Sequence, residues 1–162
     1  MPSLHDRRGF TLVELLSVLV LVGIIASMAA PRFEGALARM RTRAALDRFT
    51  GDLYLARVTA VRTGRTVVVR FPGAARCSAG GPGRYGTDHY VVVVRDTPER
   101  VVKRVVVGEG GLCLEMNQSD SLRFDARGLL RGAGNRTVVA RRGADLRDSL
   151  TVSRAGRVLR RY

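Results

Sequence analysis

The hydrophobic pattern divides the chain at once. Residues 10–30 form an apolar run of 21 positions in which Glu14 is the only charge. As a helix this run is about 30 Å long, one bilayer core deep, so it predicts a transmembrane helix over 10–30. Arg7 and Arg8 precede it, as expected for an N-terminus retained on the cytoplasmic side. Glu14 is the anomaly, because a carboxylate at the centre of a span costs about 2.5–3.5 kcal/mol. A lone span has nothing to offset that, so a partner on another chain is expected.

Beyond Pro31 the pattern turns amphipathic. Leu46, Phe49, Leu53, Ala56 and Ala60 step by 3, 4, 3 and 4, one face of a helix. Phe33, Leu37, Met40 and Ala44 are expected to extend that stripe towards the membrane, with Arg39, Arg41, Arg43, Arg48 and Arg57 as a solvated face. Pro31 lacks a backbone donor and is a point of bending. Gly64 is a suitable stop. A helix of some fifty residues is therefore expected, its amphipathic half covering 31–64.

After Gly64 the period shortens to that of strands. These are expected at 66–71, 89–95, 101–107, 112–116, 122–124 and 136–140, with a closing hairpin of 150–153 and 157–160. Residues 72–86, rich in Gly and Ala, read as a loop, and 125–128 as a turn. The fold class is α+β: a long N-terminal helix packed on a β-rich head over 65–162.

Composition adds one strong constraint. The net charge is +14, and Lys103 is the only lysine among 28 basic residues. Residues 123–162 hold 11 Arg against 3 Asp, so +8 of the +14 falls in the last quarter. Such a surface favours anionic partners.

Convergent catalytic chemistry is missing from the pattern. His89 beside Asp88 is the one candidate pair in the head, and adjacent strand residues point to opposite faces. Ser119 and Ser121 have no base nearby in sequence. The glycine loops at 80–83 and 108–111 lack the lysine and helix of a phosphate-binding loop. Two cysteines without clustered histidines make no zinc site. No enzyme activity, cofactor or metal is expected.

Gly9-Phe10-Thr11-Leu12-Val13-Glu14, behind a short basic leader and opening one apolar helix, resembles the signal of type IV pilins and type II secretion pseudopilins. The resemblance implies a leader over 1–9, cleavage by a prepilin peptidase between Gly9 and Phe10, and methylation of Phe10. It implies that Glu14 pairs with the terminal amine of a neighbouring subunit, and it matches Pro31 to a kink common in these proteins. Two other readings fit less well. A general secretion signal cut near Ser27 and Ala29 conflicts with Glu14 and with the length of the run. A plain single-span anchor leaves the Gly-Phe junction unexplained.

Further along, residues 55–67 resemble the helix end and first strand of the GspH/FimT family, Phe124-Asp125-Ala126-Arg127-Gly128 its turn, and residues 153–158 its closing segment. This implies a head of two small sheets and a minor pilin at the tip or initiating complex of a type IV pilus, single-pass in the inner membrane with its head in the periplasm. In the FimT branch a Gly-Arg-x-Arg motif near the C-terminus is implicated in DNA binding. Here Gly156-Arg157-Val158-Leu159-Arg160-Arg161 departs from it at Leu159. Arg157, Arg160 and Arg161, with Arg154, Arg142 and Arg141, are the candidate contacts to DNA, bound without sequence preference; the alternative reading is a solubilising tail. The alternative function is a type II secretion pseudopilin that promotes protein export and does not bind DNA. In an oxidising compartment Cys77 and Cys113 form a disulfide or remain two buried thiols.

Overall fold

The computed structural model describes residues 10–73, 84–107, 111–132, 134–142 and 146–161, without the side chains of 29–32, 146, 147 and 161. The leader 1–9, most of the 72–86 loop and three of the four glycine-turn residues 108–111 therefore lie outside the described residues. Two compact units emerge, residues 1–38 and 39–162.

Helix α1 runs Leu12–Thr63. Thr11 caps it: its Oγ1 accepts from the Glu14 amide at 3.3 Å, satisfying one of the donors a helix start leaves over. At the other end Gly64 takes a φ of +64°, a left-handed stop that glycine adopts without strain.

Nine strands follow: β1 Val67–Arg70, β2 Arg84–Thr87, β3 His89–Val94, β4 Arg100–Val106, β5 Leu112–Asn117, β6 Ser121–Phe124, β7 Arg136–Arg142, β8 Leu146–Val152 and β9 Val158–Arg161. They form two antiparallel sheets, ordered β4-β3-β1-β6 and β2-β5-β7-β8-β9. The expected strands are present. β2 is an addition, since Arg84-Tyr85-Gly86-Thr87 falls inside the expected loop and is held as an edge by pairing with β5. β8 begins four residues earlier than expected because β7 templates it as far as Arg142↔Leu146.

The core of the 39–162 unit lies between helix and sheets. Leu46, Phe49, Leu53, Ala56 and Ala60, the stripe read from the sequence, are all at most 1% exposed. They meet Val67, Val69, Val92 and Leu122 from one sheet and Leu114, Met116, Val138 and Leu150 from the other, in a single cluster. The expected extension of the stripe does not hold. Phe33, Leu37, Met40 and Ala44 are exposed. Within the 39–162 unit the buried face ends at Thr42, with Ala45 packed against the core.

Among the described residues Asp52 and Glu115 are buried acids. Asp52 accepts hydrogen bonds from the Tyr90 hydroxyl and from Lys103 Nζ, each at 2.6 Å. Burial and this hydrogen bond push the Tyr90 phenol above its ordinary range.

Candidate functional site

The first part of α1 has the wrong surface for water. From Phe10 to Met28 every large apolar side chain is at least 52% exposed. No single helix among the described residues is long and apolar enough to cross a membrane. The pieces Leu12–Met28 and Phe33–Thr63 meet the length and composition together, as a bent pair. The break between these pieces contains Pro31, the point of bending expected from the sequence. Pro31 cannot donate a backbone hydrogen bond, and its ring crowds the carbonyl a turn earlier.

Glu14 stands in the first turn of this segment and is exposed. Thr11 and Glu14 have the spacing of a capping box, a signal the sequence offers directly. The Glu14 amide uses it, but no donor meets the Glu14 carboxylate among the described residues. Phe10 is 85% exposed, and Gly9 lies outside the described residues.

The structure separates the arginines that the sequence groups together. Arg157 and Arg154 are exposed on the β8–β9 turn, which is closed by the Arg157 amide donating to Ser153 Oγ at 3.1 Å. Leu159 points outward at 60% exposure, as strand alternation requires. Arg160 points the other way and is occupied: it donates to Asp47 of α1 and, at 2.9 Å, to Asp148 of β8. Its role is to fasten the last strand to the helix. Arg141 is likewise spent on an internal pair, 2.7 Å from a Glu115 carboxylate that is 1% exposed. Arg142 is half-buried on β7, opposite Leu112. Arg161 pairs by its backbone with Ser149, and its side chain is not described.

Among the described residues no cysteine is free. Cys113 lies half-buried on β5 opposite Arg141, while Cys77 lies outside the described residues.

Asp88 and His89 do meet, with Nδ1 and Oδ1 2.6 Å apart. The alternation argument failed because Asp88 sits in the bend between β2 and β3 rather than in a strand. The neighbouring Thr87 Oγ1 hydrogen-bonds the carbonyls of Pro72, at 2.9 Å, and His89. Among the described residues there is no group of three or more metal-ligating side chains.

Two turns close on the far end of the helix. Gly128 and Gly156, at φ +74° and +73°, lie against the side chain of Arg57, and a Cβ at Gly156 would stand 3.0 Å from the Gly128 carbonyl. Asp125 organises the first turn by accepting from the Leu129 and Arg127 amides at 3.0 and 2.9 Å. These bonds, that of Leu129 above all, hold its carboxyl below the usual range.

The same architecture occurs in solved structures. The type IV minor pilin FimU of Pseudomonas aeruginosa superposes with a TM-score of 0.61 at 18% identity, over 77% of this chain and 91% of that one. The minor pseudopilin EpsH of the Vibrio cholerae type 2 secretion system does so with a TM-score of 0.55 at 13% identity, over 74% of this chain and 95% of that one. At these identities the likeness is one of fold. No curated protein matches the sequence. A prokaryotic N-terminal methylation motif matches residues 4–30, and the model of type II transport protein GspH matches residues 45–156. With that match running from the buried stretch of α1 through β8 and the turns on Arg57, the chain belongs to the GspH family of minor pilins and pseudopilins.

Proposed function

We propose that this protein is a minor pilin of the tip or initiation complex of a type IV pilus, and that its arginine-rich head contacts DNA without sequence preference. A prepilin peptidase removes residues 1–9, and the 10–30 segment holds the subunit in the inner membrane with the head in the periplasm. Assembly follows as the helix leaves lipid for a bundle of other subunits' helices.

The observation that carries this reading is the bare surface of the first helical turns. Thirteen large apolar side chains between Phe10 and Met28 are exposed, and the Glu14 carboxylate has no donor among the described residues. A helix that is apolar all round belongs in lipid or among other helices. A carboxylate within it is stabilised when a cation meets it, and the free amine of a processed neighbour supplies one. Glu14→Ala is the test. It is expected to leave membrane insertion intact and to deplete the protein from sheared pilus fractions. Normal incorporation would remove the pairing role.

The second reading, a type II secretion pseudopilin that does not bind DNA, draws support from the description of the matching family model. A deletion strain separates the two. Loss of piliation with exoprotein export intact supports the pilus; the converse supports secretion.

A further inference from the structure

The described basic groups do not converge on the C-terminal strand. They converge on an open cleft of about 440 Å³ beside β6, lined by Arg95, Arg123, Arg131 and Arg136 and by one acid, Asp120. Arg95 follows β3, Arg123 lies on β6, Arg131 follows the Phe124↔Leu130 bridge, and Arg136 opens β7. These positions are spread over more than forty residues of sequence, and both sheets contribute to them. Asp120, whose Oδ1 accepts from Ser121 Oγ at 3.1 Å, offsets one of these positive charges and leaves the lining with an excess of arginine. Arg95, Arg123 and Arg131 have no side-chain partner among the described residues. Guanidinium groups in excess of their counter-charge repel one another, and an oxyanion relieves that repulsion.

The cleft is also shaped. Gln118, at a φ of +69°, accepts from Arg136 Nη1 and so orients that guanidinium. Gly132 makes room for it, since a Cβ there would lie 2.8 Å from Arg136 Nη2. A second cleft of about 370 Å³ shares Arg131 and Gly132 and reaches on to Arg154. The two clefts adjoin at Arg131 and Gly132 as a trough, the second adding Arg127 and Arg154 against Asp125. A line of positive charge suits a ligand with repeating negative charge better than a single ion. Neither lining contains an aromatic side chain, so there is no platform on which bases stack. Arginine forks and the Ser119 and Ser121 hydroxyls suit phosphate oxygens instead.

We propose that this trough, built on Arg95, Arg123 and Arg131 and extending towards Arg154, holds the phosphate backbone of duplex nucleic acid, and that the β9 arginines do not. The inference rests on the DNA contact in the function proposed above and assigns it a place.

The test uses the full chain in neutral detergent, a fluorescent duplex of about twenty base pairs with arbitrary sequence, and binding measured across a salt series. The variants are Arg95→Gln with Arg123→Gln and Arg131→Gln; the same three positions to Lys; and Arg160→Gln with Arg161→Gln. The Gln trough variant is expected to flatten the slope of log K against log salt by about 2.7, three contacts at 0.9 each, and to weaken binding on the order of 100-fold at 0.1 M salt. The Lys variant keeps the charge and is expected to keep most of the slope, which separates lost charge from lost fold. The β9 variant is expected to bind as the wild type does. A Gln trough variant that binds normally, or a β9 variant that loses the slope, overturns the assignment while leaving DNA binding itself in place. A wild-type chain that binds no duplex at low salt overturns the DNA reading, and the assignment with it.

Discussion

The hydroxyl of Tyr90 on β3 donates to the Asp52 carboxylate of α1 across 2.6 Å, inside a core where Tyr90 is fully buried and Asp52 is 4% exposed. This bond and that from Lys103 fix the rotation of the helix over the four-stranded sheet. Asp52→Ala leaves the buried Tyr90 hydroxyl without its acceptor and the half-buried Lys103 ammonium without its partner, and is expected to lower stability by about 2 kcal/mol. Tyr90→Phe removes one bond and is expected to cost about 1 kcal/mol. The Tyr90 phenol is raised in the folded state, so its contribution is complete below the unfolded value near 10 and is lost as pH rises above it. Denaturant titrations of the full chain between pH 7 and 11 check both points. An alkaline loss of stability of equal size in Tyr90→Phe would show that the phenol is not its source.

Gly156 is expected to tolerate no side chain. Its φ is +73°, and a Cβ would press on the Gly128 carbonyl and on Arg57. Gly156→Ala should lower stability by about 1–3 kcal/mol, read as a shifted denaturation midpoint. Gly23→Ala, on the helix with open space around it, should be neutral or slightly favourable to the helix. Equal effects at the two positions would remove the argument from backbone strain.

Intact mass spectrometry of protein from its native membrane is expected to show a chain that starts at Phe10 and carries one methyl group on its amine. The motive is the Gly9-Phe10 junction behind Arg7 and Arg8, within the matched methylation motif. A chain that starts near Ala30 would show instead a general secretion signal.

Cys77 and Cys113 are expected to be bonded to each other in the exported protein. Closing a loop of this length stabilises by roughly 3–4 kcal/mol in the chain-entropy model. Alkylation of the unreduced, denatured protein should label neither residue, and two labelled thiols would rule the bond out.

Much of this molecule is legible in local periodicity. The 3-4-3-4 stripe from Leu46 to Ala60 named the buried helix face before any partner was known, since helix geometry alone brings those residues to one side. Val-rich alternation located the strands and Gly64 the helix stop, and the Gly-Phe junction falls within the matched methylation motif. What the sequence could not hold is which residues meet across it. Arg160 and Arg157 look alike in a basic tail, yet one is pinned to Asp47, 113 positions away, and the other is solvated. β2 looks like loop because a four-residue edge with a glycine has little propensity of its own and exists through its pairing with β5. The arginines at 95, 123, 131 and 136 are unremarkable singly. They form one cleft only because β1 pairs with β6 and the Phe124↔Leu130 bridge turns the chain towards β7. Local propensity acts over a few residues, whereas charge, burial and ion pairing act through space, and only the tertiary structure decides which distant residues share it.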